Sequence, residues 1–533
     1  MNHPAPVSSP PPVVHHELVD ALRADLDSAG AGVAAIEERI GPVAAAALHR
    51  EQALPALRAT AGADDPVATL LRVFVLGGAV PRRAVDRALP TLGSDGAARL
   101  GLVRTAGAGP EDEVRALVDL RPVSATDAGG PVTWWLASDL GELATGGALR
   151  YDHVLGVGGA STTLAQVTVR DHRRRTLDLG TGCGIQALHA ARHSDAVVAT
   201  DISERALGFA AFNAALAGVE LDLRQGSMLE PADGLFDLVV SNPPFVITPR
   251  GSGSAGRSPG EGARQPSGEP LPHYEYRDGG RSGDDLVRDL VREVGGVLAP
   301  GGVAQLLGNW EHRRGADWRE RVGTWVDEAG LDAWVVQREV QDPAEYAETW
   351  LRDGGSTPDR DPAGWAAAYG AWLEDFASRE VDAVGFGLVL LRRPVSGPPT
   401  LRRLEEWSGP VRQPLGTHLA ACLEAHDTLV TLTDADLADR RLVVAPDVTE
   451  ERHLTPGASD PTVVLLRQGD GFGRSVRAGT ALAGLVGACD GELTLGQILG
   501  GVAALLDVPA DALAAELLPE VRGLTRDGFL HVT

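Results

Sequence analysis

Two short runs in this sequence hold residue types that could do chemistry. The first is Asn242-Pro243-Pro244-Phe245. An amide nitrogen, or the amino nitrogen of an aromatic base, is a poor nucleophile because its lone pair is delocalised. A site that alkylates such a nitrogen must hold both N–H groups with acceptors while the lone pair turns toward the electrophile. Asn242 can supply a side-chain oxygen and Pro243 a backbone carbonyl. The prolines stiffen the turn, and a residue before proline is held extended, which fixes where Asn242 points. Phe245 offers a face on which a planar group can stack. The second run is Asp178-x-Gly180-x-Gly182-x-Gly184. Its three glycines let the backbone approach a ligand closely and adopt angles that other residues avoid. Behind them the Ala-rich stretch Ile185 to Arg192 reads as a helix whose free N–H groups aim at the same spot.

A dinucleotide fingerprint G-x-G-x-x-G would need glycine where Ile185 stands. With Asp178 two residues before the first glycine, the run resembles the first motif of the class I S-adenosylmethionine (SAM) methyltransferases. That resemblance implies SAM as cofactor, held by Asp178, Gly180, Gly182 and Gly184. Asp201 would accept the ribose hydroxyls, with Ile202, Ser227, Met228 and Asn242 completing the cofactor set. The family often carries an acid where Ser227 stands; a hydroxyl can accept the same bond from the adenine amino group. Asn242 to Phe245 resembles the motif of methyltransferases that modify a planar nitrogen, whether the amino group of adenine or guanine or the side-chain amide of glutamine. These four are the candidate catalytic residues. Gly279-Gly280, Gly283 and the helix after them resemble the stretch beyond that motif in the HemK-type protein-glutamine methyltransferases, which favours glutamine over a nucleobase. The glycines within Asp152 to Leu164 stand where a segment folds over the cofactor in those enzymes. The resemblance covers roughly residues 150 to 310. A sulfonium loses its charge as it gives up its methyl, so positioning rather than a general base carries such a reaction.

The elements that must position these residues follow a β-α rhythm. Strands are expected at Thr176–Leu179, Ala196–Thr200, Glu220–Arg224 and Phe236–Ser241, with helices at 185–192 and 205–217. A helix is expected from Gly283 to about Leu298, then a tight turn at Pro300-Gly301-Gly302 and a fifth strand, Val303 to Leu307. Leu331–Arg338 and Val384–Arg392 supply the antiparallel last pair. The expected fold is a Rossmann-like, seven-stranded α/β methyltransferase core, with ligands at the carboxyl ends of the strands.

At 533 residues the chain needs several domains. A disordered tail is expected over 1–16, then a helical and winged-helix-like α+β domain over 17–130, the methyltransferase domain over 131–394, and a C-terminal winged-helix-like α+β domain over 395–533. Within the core, 248–272 is a candidate substrate flap, rich in Gly, Ser, Pro and Arg, and 343–379 is an aromatic helical insertion. The formal charge of −25 argues against an unaided grip on a phosphate backbone. A protein substrate is therefore expected ahead of RNA or DNA, although a base flipped into the site remains the alternative substrate, and a SAM-sensing regulator the alternative class. Three widely spaced cysteines, Cys183, Cys422 and Cys489, build neither a disulfide framework nor a metal motif. No apolar run is long enough to span a membrane, so the expected location is the cytoplasm.

Overall fold

A computed structural model describes residues 9–127, 129–147, 149–249 and 274–533. It divides into two compact units, one comprising 1–164, 172–399 and 403–405, the other 165–171, 400–402 and 406–533. The expected flap, 248–272, lies outside the described residues except for Thr248 and Pro249.

In the first unit, helices His16–Ala29 and Val33–Leu48 open the chain. The second is broken at Gly41, where φ is 79° and Pro42 follows without an N–H to give. Helix Pro66–Leu70 runs on into a π-helical turn, and helices Arg82–Ala88 and Gly93–Arg99 follow. Strands Val80–Pro81, Val103–Thr105 and Glu113–Ala116 form an antiparallel sheet with the last in the middle. After Ala116 the chain leaves this sheet, and Asp119–Asp127 pairs instead with Gly130–Ser138.

The central sheet is built from β1 (Arg173–Leu179), β2 (Ser194–Asp201), β3 (Asp222–Gln225), β4 (Phe236–Ser241), β5 (Leu298–Arg313), β6 (Asp332–Gln341), β7 (Val381–Arg392) and β8 (Arg402–Glu406), in the order 3-2-1-4-5-7-6-8. Strands β1 to β5 run parallel, and β7 is antiparallel to both β5 and β6. The sheet has eight strands where seven are expected. β8 adds to the edge at β6, where Trp334 Nε1 donates to Glu405 at 2.7 Å. The expected turn at 300–302 is a bulge inside β5: pairing with β4 shifts register between Leu298 and Val303. A Cβ on Gly302 would lie 2.7 Å from the Phe236 carbonyl, so only glycine lets the bulge close against β4.

Helices α1 (Ile185–Ala191) and α2 (Glu204–Ala217) follow β1 and β2, whereas α3 (Asp285–Glu293) and α4 (Trp318–Ala329) flank β5. Strand residues Leu177, Leu179, Val198 and Val239 pack with Val287, Leu290 and Val291 of α3 and Val322 and Trp325 of α4. Phe209 and Phe212 of α2 belong instead to a core shared with Leu22, Phe74, Leu120 and Leu136. Helix α3 ends at Glu293, before the expected point, and a short 3-10 turn leads into β5. Between β6 and β7 lie α5 (Pro343–Asp353) and α6 (Pro362–Ser378).

In the second unit, Asp490–Thr494, Arg441–Val444 and Leu530–Val532 form one three-stranded sheet, and Val448–His453, Val463–Gln468 and Ser475–Ala478 another. Leu442, Leu495, Val521 and Phe529 are core residues among helices Thr480–Gly487, Leu495–Leu506 and Ala510–Arg526.

Helix α2 ties the N-terminal elements to the central sheet. Arg23 donates to the Leu216 and Ala215 carbonyls at 2.8 and 2.6 Å, at the C-terminal end of α2. Asn213, fully buried, accepts from Ala137 N at 2.7 Å and donates to the Ala137 and Cys183 carbonyls at 2.9 and 2.8 Å. Asn213→Ala would leave three buried backbone groups unpaired, and should lower unfolding free energy by about 2–4 kcal/mol. Guanidinium unfolding followed by tryptophan fluorescence checks this; an unchanged midpoint would contradict it.

Candidate active site

β1 and β4 end level with each other. Leu179 is paired with Ser241, and the Ser241 hydroxyl donates to the Leu179 carbonyl at 2.7 Å. The glycine turn leaves one strand and the prolyl corner leaves its neighbour, so the two runs singled out in the sequence emerge side by side at the carboxyl edge of the sheet.

The turn is folded by backbone bonds. Gly180 N and Thr181 N both donate to the Thr200 carbonyl at 2.9 Å, and Gly184 N donates to Thr181 O at 2.9 Å. The three glycines have φ of 73°, 56° and 91°, angles that disfavour any side chain. Their surroundings differ. A Cβ on Gly180 or Gly182 would meet nothing within 4 Å, whereas one on Gly184 would lie 3.3 Å from Ala210 Cα and Cβ. The first two border open space, and the third lets α2 pack against the turn.

Asp178 faces inward. It is 1 % exposed, and its Oδ2 accepts from the Thr181 hydroxyl at 2.6 Å and from Ala187 N at 2.9 Å. One of the α1 N–H groups expected to face a ligand is thus used inside the turn. Burial pushes the Asp178 carboxyl up to about 7, against the lowering effect of those two donors. Asp201, at the end of β2, accepts from Gly182 N on one oxygen and Ser203 N on the other, both at 2.9 Å. Burial raises its pKa too. Each Asp201 oxygen keeps a further lone pair. Beside it Ile202 is 54 % exposed, a large apolar side chain at the mouth of the crevice. Gly226 N donates to Asp201 O at 3.0 Å, which brings Ser227 alongside; Met228, next in line, has a φ of 48°.

At the corner, the Asn242 Oδ1 atom is buried and has no hydrogen-bond partner among the described residues. A buried carbonyl-type oxygen left unpaired is costly, which makes it a poised acceptor for an N–H donor. Pro243 O accepts from Phe245 N at 2.7 Å and keeps its second lone pair. Phe245 stands edge-on to Trp350, ring centroids 6.3 Å apart.

A partner segment for this corner was not legible in the sequence. Residues 274–278 lie along 245–248: Phe245 bridges Asp278, Val246 N donates to Arg277 O at 2.9 Å, and the Thr248 hydroxyl donates to Asp278. Asp278 also accepts from Tyr274 N at 2.6 Å. Glu275 N donates to Tyr151 O at 3.0 Å, and burial and the nearby Asp201 raise the Glu275 carboxyl pKa. A Cβ on Gly279 would lie 2.5 Å from Pro244 O, so the first residue of the Gly-Gly pair is needed for contact with the corner. The only signal for this pairing was the Gly279-Gly280 resemblance, which says nothing of Arg277 or Asp278.

Trp134 is buried edge-on to His189, centroids 4.9 Å apart. Cys183 is buried, which pushes its thiol up to about 11 and leaves it protonated and inert. The Asp152 to Leu164 segment leads into helix Gly159–Val167, where Ser161 O accepts from Gln186 of α1 at 2.7 Å. No group of three or more His, Cys, Asp or Glu suited to a metal occurs among the described residues, and no described helix is long and apolar enough to cross a membrane.

Residues 156–255 match the family described as methyltransferase small domain. The flanking regions match two domains of unknown function, DUF7059 over 28–117 and DUF7782 over 421–532. A release factor glutamine methyltransferase of Deinococcus radiodurans is 40 % identical over 142 residues, 26 % of this chain and 46 % of that protein. A ribosomal protein uL3 glutamine methyltransferase of Bradyrhizobium diazoefficiens is 34 % identical over 161 residues, 29 % of this chain and 46 % of that protein. The chain spans about half the length of the curated relatives it matches. Among solved structures, a methyltransferase from Pyrococcus furiosus covers 48 % of this chain and 92 % of its own at 14 % identity, with a TM-score of 0.27, too low for the superposition to bear on the site.

Asp178 also dictates a pH dependence. Its folded pKa, about 7, lies above the unfolded value of 3.8, so the folded state binds the extra proton between those limits. Stability from this group is fully present below about pH 4 and is lost as pH rises through about 7. Relative to Asp178→Asn, the wild type should therefore lose stability across that window. Melting temperatures of both proteins from pH 4.5 to 7.5 measure it; parallel curves would refute the raised pKa.

Proposed function

We propose that this chain is a SAM-dependent N-methyltransferase whose acceptor is a planar nitrogen, the side-chain amide of a glutamine in a translation-related protein. The observation that carries the reading is the buried, unpartnered Asn242 Oδ1, one residue beyond the Leu179–Ser241 pair. A pocket that only sensed cofactor would have no use for an empty acceptor at that point. Similarity to relatives named as glutamine methyltransferases supports a protein substrate, as does the charge of −25.

The residues present fit the cofactor. Open space over Gly180 and Gly182 admits a ligand against the backbone. Asp201 has lone pairs to spare for the ribose hydroxyls, exposed Ile202 offers an apolar face to the adenine, and Ser227 a hydroxyl to its amino group. Asp178 acts from inside, holding the turn in shape through Thr181 and Ala187. When bound, SAM supplies an electrophilic methyl on a sulfonium. The chain orients the nucleophile: Asn242 Oδ1 and the free lone pair of Pro243 O accept the two amide N–H groups, Pro244 holds the corner rigid, and Phe245 flanks the planar group. Holding both hydrogens turns the lone pair toward the methyl, which is a contribution of orientation.

The helix, strand, helix, helix, strand, strand order from Pro66 to Ala116, with the last strand central, is read as a winged-helix-like module. Between Pro66 and Gly130 eight Arg stand against seven acidic residues, which suits docking to a protein better than duplex reading.

Labelled SAM incubated with the protein and a cell extract tests the substrate class: label should be removed by protease, and nuclease-sensitive label would instead select the amino group of a base in RNA or DNA. Asn242→Ala should lower kcat about 10²- to 10³-fold while leaving SAM affinity within about twofold in calorimetry. Retained turnover would remove Asn242 from the chemistry.

A further inference from the structure

β5 is longer than the strand beside it. Its pairing with β4 stops at Leu306 opposite Ser241, yet its pairing with β7 runs on to Arg313 opposite Val381. The overhang forms a shelf just past the sheet edge, next to where residues 242–248 leave β4. Asn309 stands on that shelf, fully buried.

The space above the shelf is filled by the insertion between β6 and β7. Asp342 caps α5 by accepting from Ala344 N and Glu345 N at 2.8 and 2.9 Å, and Pro343 takes the first helical position, so the helix has a defined start in the turn that carries Tyr346. Tyr346 is fully buried. Its ring lies 5.5 Å from Phe386 on β7, 5.6 Å from Phe376, 5.8 Å from Trp372 and 6.0 Å from Trp350. Packed on four rings, the phenol has no freedom to move its oxygen. That oxygen receives two donors, Asn309 Nδ2 at 2.7 Å and Ile247 N at 3.0 Å. Ile247 is two residues beyond Phe245, whose ring in turn meets Trp350 of the same helix. Helix α5 also holds the returning segment, since Arg277 donates to Trp350 O at 2.6 Å and to Asp353 at 2.9 Å, and Tyr274 donates to Gly354 O at 2.7 Å.

We propose that Tyr346 is a positioning residue for the acceptor corner: its hydroxyl, fixed by the aromatic cluster and by Asn309, sets the height of Ile247 and through it the placement of Asn242 to Phe245. The inference rests on the N-methyltransferase reading for its kinetic arm and on geometry alone for its structural arm. The insertion is then part of the acceptor site rather than an appendage.

Tyr346→Phe in the full chain removes one oxygen and keeps the ring. Backbone amide exchange over 243–249 should accelerate at least tenfold. Transfer from labelled SAM to the protease-sensitive acceptor should show kcat lowered about 10- to 100-fold, the scale expected when reacting groups are displaced by a fraction of an ångström to one ångström. SAM affinity by calorimetry should stay within about twofold. Trp365→Phe, in the same insertion but stacked on Tyr369 rather than on Tyr346, should leave exchange in that segment and kcat unchanged even where it lowers the melting temperature. Unchanged exchange in Tyr346→Phe, or equal kcat losses in both variants, would overturn the positioning role. A wild-type chain that transfers no label to protein would overturn the glutamine reading instead, and the exchange comparison would still decide the role of Tyr346.

Discussion

Two parallel strands that end at the same level send their following loops into the same space, and in this protein that happens where Leu179 meets Ser241. The bond from the Ser241 hydroxyl to Leu179 O holds the register at the last pair, and a slip of one residue would turn every β4 side chain to the other face of the sheet. The Gly180 turn and the Asn242 corner are far apart in sequence and have no direct means of finding each other. Their meeting is a property of strand order, β1 beside β4, which is where an open α/β sheet reverses direction and leaves a crevice.

The support behind the crevice comes from two sides. Helix α2 closes on the glycine turn through Ala210 against Gly184 and is itself held at Asn213 by Ala137 and Cys183, and at its C-terminus by Arg23. An ion pair between Arg205 and Asp139, both nearly buried, adds a fixed contact at its N-terminal end. The other side is the shelf of β5 and β7 with α5 upon it. Among the described residues nothing lies within 4 Å of a Cβ built on Gly180 or Gly182, so the rigidity described is supplied from behind the turn, as preorganised sites require.

How much of this was legible in the sequence depended on the range of the interaction. Phe236–Ser241 has the same ends in structure as in the pattern of residues, because alternation and apolar runs are local. The glycine positions were legible as a motif, but their division of labour was not, since Gly184 is shaped by Ala210, which no local pattern pairs with it. The eighth strand was hidden for the same reason: Arg402–Glu406 is charged and becomes a strand only because the β6 edge is there to receive it. The Pro300-Gly301-Gly302 run reads as a free turn in isolation and is a bulge because β4 stands beside it. In the insertion, the aromatic spacing announced a packed helical pair, yet nothing in it set Tyr346 apart from the other rings. Its hydroxyl gains meaning only from Ile247 and Asn309, residues that sequence distance separates and the shelf brings together.

One detail of the corner bears on how the chain could diversify. Residues 246–248 and 274–278 are stitched to each other by Val246 with Arg277 and by Thr248 with Asp278. The chain between them therefore departs and returns at a single clasp. Closing a longer excursion from a clasp that is already made costs only about 0.6 kcal/mol for each doubling of its length. Selection could alter the length of that stretch while the paired segments on either side keep their contacts.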